Sequence, residues 1–274
     1  MRSGGSWFAW LIACLFALSI LDSFKERAEQ RQIIQKAEQF APDASIKIEQ
    51  MGEQFGVANA TQGYYRFKTE DLWQKVAQIP AHRRHRFYMW SGNRQTEFIG
   101  SASGVDRNPY FANSFLVGFT PFQTDSVWEP LATLALRKSY VLDHKLYGPD
   151  MAEVWQNSRQ AYAYSRGDCE DHALILADWL IGMGHDARVA LGEYNGGGHA
   201  WVVLLYEGRD YILEATSKRR PRGINDFILA SLATDYLPLY QFNRDQFWVN
   251  TGSKFTTRYR DQKWRLSANF IRNN

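Results

Sequence analysis

Cys169, His199 and Glu214 are the residues from which nucleophilic acyl chemistry could be assembled. The 274-residue chain holds two cysteines, Cys14 and Cys169, so a disulfide scaffold and a Cys-only zinc site are both excluded. Cys169 sits in Gly167-Asp168-Cys169-Glu170-Asp171, just after a residue suited to cap a helix. Backbone N–H groups in a first turn are unpaired and the helix dipole is positive there, which favours a thiolate. His199 follows Gly196-Gly197-Gly198 at the start of an expected strand, where glycines let the backbone bend and leave the imidazole accessible. Glu214 closes the next strand in Leu213-Glu214-Ala215-Thr216, one strand over from His199. In that chain order the three make a nucleophile, a base and an orienter. Asp210, on the same strand as Glu214, is the reserve orienter.

Asp168, Glu170 and Asp171 crowd the residue that must ionise. As caps and first-turn acids they stabilise a helix, but carboxylates beside a thiol raise its pKa. Three of them need a positive charge nearby. Either His199 is protonated in an ion pair with Cys169, or a cation sits on the carboxylates. Hard oxygen donors suit calcium rather than zinc. A zinc site from Cys169, His172 and His185 is the competing metal reading, and its donor spacing is irregular.

Several elements must place these groups. Periodicity predicts helices over Val127–Leu142, with Pro130 tolerated in the first turn, over Pro149–Tyr164, and from Gly167-Asp168 to Gly182. Strands are expected over Ala187–Gly192, His199–Tyr206 and Asp210–Thr216, with Glu207-Gly208-Arg209 as a turn. Helices followed by an antiparallel meander indicate an α+β fold. Upstream, Lys25–Phe40 reads as a polar helix, Thr69–Gln78 as a short helix closed by Pro80, and Arg86–Trp90 with Gln95–Gly100 as a hairpin. Asn113–Phe122 reads as extended, and the basic cluster from His82 to Arg86 as a solvated loop.

Together these motifs resemble the transglutaminase-like branch of the papain-like superfamily, in particular the bacterial transglutaminase-like cysteine peptidases. Gly167–Asp171, Gly198-His199-Ala200-Trp201, Tyr211–Thr216 and Gly182–Val189 carry the resemblance, over about 120 residues. It implies a papain-like core in which a helix bearing the cysteine packs on an antiparallel sheet. Cys169 would attack a carbonyl to form a thioester, His199 would take and return the proton, and Glu214 would stand where the family usually has Asp. Trp155-Gln156 resembles a segment that precedes the cysteine in many members. Either residue is a candidate to complete an oxyanion hole with the Cys169 N–H. Some relatives with the same Asp-Cys-Glu-Asp run bind calcium there, which makes Asp168, Glu170 and Asp171 the candidate ligands. The chemistry itself requires no cofactor.

The 32 basic and 29 acidic residues are too balanced for a nucleic-acid binder. Residues 7–21 are uncharged, after Arg2 and before Asp22. Such a run fits a signal anchor or a cleaved signal, with lipidation at Cys14 or a buried helix as further readings. The expected organisation is a membrane-targeting segment over 1–24, an N-terminal region of unassigned role over 25–125, a catalytic domain over 126–245 and an extension over 246–274. The expected activity is extracytoplasmic thiol-dependent peptidase or amidase chemistry on a protein or peptide, at the inner membrane of a periplasm. Crosslinking by transamidation, or a non-catalytic binding module on the same fold, are the alternatives.

Overall fold

A computed structural model describes residues 24, 25, 27, 28, 31, 32, 54–60, 63–91 and 98–272. The chain divides into two compact units, Met1–Phe40 and Ala41–Asn274. In the first, the described residues from Phe24 to Gln32 are helical and exposed. The targeting segment read over 7–21 lies outside the described residues. Among the described residues, no helix is long and apolar enough to cross a membrane.

The second unit is built on a nine-stranded sheet. Across it run Ile228–Leu229, Arg209–Leu213, Gly197–Tyr206, Asp186–Tyr194, Tyr236–Phe242, Gln246–Asn250, Trp264–Arg272, Gln54–Ala60 and Gly63–Lys68, every neighbouring pair antiparallel. The meander read from the sequence is its first half. Residues 246–272 add two strands to it, and a hairpin from the N-terminal region extends it further. The expected boundaries at 125 and 245 therefore both fall inside one compact unit.

The central strands are buried on both faces because their side chains alternate between two clusters. Ala187, Val189, Val202, Leu204 and Leu213 pack on one side, and Ala190, Trp201, Val203, Leu205 and Ile212 on the other. On the first side lies the helix Cys169–Gly182, whose Ala173 to Leu180 are all buried. A helix apolar nearly all round belongs inside a protein. Beyond the first turn its one carboxylate, Asp178, is fully enclosed. Asp178 accepts from the Gly118 and Phe119 N–H groups at 2.9 and 2.8 Å and from the Ser158 hydroxyl, and it faces Arg244 Nε at 2.6 Å. That network ties the helix to two segments far from it in sequence.

A second sheet, Tyr88–Ser91, Phe98–Gly104 and Pro109–Phe111, takes Val154–Trp155 as a parallel fourth strand. The helix expected over Pro149–Tyr164 is thus confined to Ser158–Ala163. Asn157 decides where it starts: its side chain accepts the Gln160 N–H at 2.9 Å, and Gln160 returns a bond to the Asn157 N–H at 3.0 Å. Trp155 is stacked between Phe87 and Phe242, at 5.6 and 6.1 Å with interplanar angles of 13°, and so joins the two sheets. The other expected helices are present and shorter, as Glu129–Arg137 and Thr69–Ala77. Over Asn113–Phe122 the chain forms a 3-10 turn, Ala112–Phe115, followed by irregular backbone.

Candidate active site

Cys169 opens its helix, and Asp168 is the N-cap. The cap is reciprocal, with the Asp168 N–H donating to Asp171 Oδ2 at 3.3 Å. Asp171 folds so closely over the preceding turn that a Cβ at Gly167 would sit 2.4 Å from its carboxylate. Only glycine fits there. Its other oxygen accepts the Gln156 N–H at 2.7 Å. Both Asp171 oxygens are therefore spent on backbone.

Cys169 is a free, partly buried thiol. It lines a cavity of about 360 Å³ together with His199, Asp168, Glu170 and Glu153. The structure brings Glu214 to His199 on the adjoining strand, with His199 Nε2 2.8 Å from Glu214 Oε2. The same oxygen accepts from the Tyr236 hydroxyl at 2.9 Å, while Oε1 accepts from the Thr216 N–H at 3.0 Å and the Thr216 hydroxyl at 2.5 Å. Four donors thus hold the longer Glu side chain in one place. Burial raises its pKa, but the bond and charge of His199, with the Thr216 donors, outweigh burial and hold the carboxyl below its usual range. The His199 ring lies among Tyr194, Trp201 and Tyr236, with centroids 5.3 to 6.4 Å away. Asp210 is far from this group. It pairs across the strands with Leu205, six residues along from His199, and accepts the Tyr259 N–H at 2.7 Å.

The oxyanion candidates from the preceding segment are both committed elsewhere. Gln156 gives its amide to the Tyr147 hydroxyl at 3.0 Å and the Arg166 carbonyl at 2.9 Å. Trp155 lines the cavity, but its indole N–H donates to Glu153 Oε1 at 2.8 Å. Tyr147, Arg166 and Glu153 thus hold these two side chains.

The thiol differs most from expectation. Burial first, then Asp168 and Glu153, push it up to about 12, against the helping contacts of the Ala200 backbone and Glu170. It donates to Glu170 Oε2 at 3.2 Å. The acids suffer likewise. Burial, with Asp168 and Asp171, pushes Asp143 up to about 9. Burial raises Glu153 to about 7 and carries Glu170 well above the usual carboxylate range. Asp143, Asp168 and Glu170 each bring one carboxylate oxygen within 4.8 Å of the others. Asp143 Oδ1, Asp168 Oδ1 and Glu170 Oε1 are also buried without a hydrogen-bond partner. Three orphaned, hard acceptors in one place fit a calcium-like cation. Asp143, which no motif along the chain singles out, joins Asp168 and Glu170 in this group, and Asp171 does not.

Among the described residues this is the one metal-compatible group. His172 is buried with Nδ1 3.2 Å from the Ala215 carbonyl oxygen, and His185 packs edge-on to Tyr206, so neither joins Cys169 in a zinc site.

Residues 153–269 match the family model of the CEP76 peptidase-like domain. That span begins just before Trp155 and contains Cys169, His199 and Glu214. The chain is also similar to the mouse (Mus musculus) centrosomal protein of 76 kDa, at 31% identity over 107 residues, 35% of this chain. The match spans 15% of the mouse protein's length. Among solved structures, LapG of Legionella pneumophila is 20% identical over 52% of this chain and 77% of its own, with a TM-score of 0.37. Its calcium-bound form is 19% identical over 56% and 83%, with a TM-score of 0.38.

Proposed function

We propose that the chain is a cysteine peptidase or amidase that cleaves protein or peptide substrates through Cys169, His199 and Glu214. The observation that carries this reading is the 2.8 Å pairing of His199 with a four-donor carboxylate, on the wall of the cavity that Cys169 opens into. Glu214 occupies Nε2, which leaves Nδ1 to take the thiol proton. The thiolate sulfur then bonds to the substrate carbonyl carbon. Collapse of that adduct breaks the C–N bond, and His199 returns its proton to the leaving amine. Water, deprotonated by the same imidazole, releases the acid and restores the thiol.

Asp143, Asp168 and Glu170 would hold a calcium ion, whose positive charge would offset Asp168 and Glu153, the carboxylates that oppose thiolate formation. Labelling with a peptidyl fluoromethyl ketone tests the reading. Cys169 in the intact chain should be alkylated, His199→Ala should slow this severely, and Cys169→Ala should abolish it. Equal labelling of wild type and His199→Ala would remove His199 from the mechanism.

We also propose that residues 7–21 carry the body out of the cytoplasm, at the inner membrane of a periplasm. The support is the run of fifteen uncharged residues over 7–21, after Arg2 and before Asp22. A reporter fused after residue 30 should be active only outside the cytoplasm, and activity confined to the inside would refute this location.

A further inference from the structure

We propose that the Cys169 cavity contains an apolar subsite built on a β-bulge, selecting acyl donors with a bulky aliphatic or aromatic side chain within two residues of the reacting carbonyl. This rests on the peptidase reading and specifies its substrate. Leu239 and Tyr240 are sequence neighbours, yet both line the cavity. Successive side chains of a regular strand point to opposite faces. The exception arises because the register slips here: Pro238 pairs with Gly192 and Tyr240 with Leu191, leaving Leu239 as the extra residue. A bulge of this kind re-aims a side chain.

Leu239 is 42% exposed, and across the cavity Tyr140 and Leu142 are 46% and 38% exposed. Single exposed apolar residues are ordinary, but a group facing one cleft marks a binding surface. Phe87 and Leu191 extend the same wall. Gly192 permits the tight strand pairing opposite the bulge, since a Cβ there would lie 2.2 Å from the Leu237 carbonyl oxygen. Gly198 differs, because a Cβ there would meet nothing within 4 Å. The floor beside His199 is therefore open to a peptide backbone.

The test uses the intact chain with calcium present and dipeptidyl fluoromethyl ketones. Leu, Phe or Gly occupies one position and Ala the other, with iodoacetamide as a probe that lacks side chains. At one of the two positions, Leu or Phe should inactivate Cys169 on the order of 10- to 100-fold faster than Gly. Leu239→Ser, and independently Leu142→Ser, should shrink the Leu-to-Gly ratio by at least about fivefold. Similar rates for Leu, Phe and Gly at both positions would overturn the subsite and leave the peptidase reading intact. So would a ratio unchanged in both variants. Reaction with iodoacetamide but with none of the ketones would sink the peptidase reading itself.

Discussion

Tyr236 gives the Glu214 carboxylate a donor that no local motif announces. It lies 22 residues beyond Glu214 and reaches the oxygen that faces His199. Tyr236→Phe removes one donor to a charged acceptor, a loss of about 1.5–3 kcal/mol in favourable cases. Activity should fall roughly tenfold or more, and the acid limb of the pH–kcat/KM profile should move to higher pH, because the carboxylate has lost a partner. A change that merely loosened packing would lower the profile without moving that limb. Glu214→Gln should cost more, on the order of 10²–10⁴ in kcat/KM, while Cys169→Ala leaves no covalent chemistry. Cys169, His199 and Glu214 were legible because each sits in a short local pattern: a helix cap, a glycine run, a strand end. Asp143, Glu153 and Tyr236 were not. They reach the site through folded geometry, and neither their spacing nor their neighbours distinguish them from surface residues.

The Cys169 helix is secured less by its caps than by Asp178. This carboxylate, with no exposure of its own, pairs with Arg244 and accepts from two backbone N–H groups of the Gly118–Phe119 segment. Removing one partner of a buried pair leaves the others unsatisfied, at a cost of about 3–5 kcal/mol. Asp178→Ala should lower the urea midpoint accordingly, and a loss below about 1 kcal/mol would show that the network is not structural. The sequence revealed this helix well, since its apolar content and glycine stop are local. It misled over Pro149–Tyr164, where helical periodicity covers a segment that in fact begins as a β-edge. Val154 and Trp155 pair with Ser103 and Gly104, 51 residues away, a partner that no window along the chain can see.

Across the molecule, the acid cluster couples stability to pH. Asp143 binds a proton in the fold up to about pH 9, whereas in the unfolded chain its carboxyl has lost that proton above about pH 4. The folded state holds the extra proton, so stability falls as pH rises through this window. Burial holds His172 neutral down to about 3, and burial lowers Lys138 to about 8. Between roughly pH 6.5 and 8 neither adds an opposing trend. With a chelator present, the melting temperature should therefore drop across that interval. Calcium should raise it most at the alkaline end and speed alkylation of Cys169. A melting temperature indifferent to chelator and calcium would remove the ion from the account. The hairpin Gln54–Lys68 is not legible in the sequence. Its first strand finds its place by pairing with Trp264–Arg272, about 200 residues away.

That pairing has a consequence for biosynthesis. Gln54–Ala60 bonds on one side to Gly63–Lys68 and on the other to Trp264–Arg272. About 200 residues must leave the ribosome between the first of these strands and the last, which at the usual pace takes on the order of 10–40 s. Throughout that interval the nascent hairpin presents a bare edge to whatever else is being made nearby. The fold is thus sealed by Trp264–Arg272, and a ribosome stalled late in the message releases a chain with the Cys169, His199 and Glu214 motifs complete and the sheet still open.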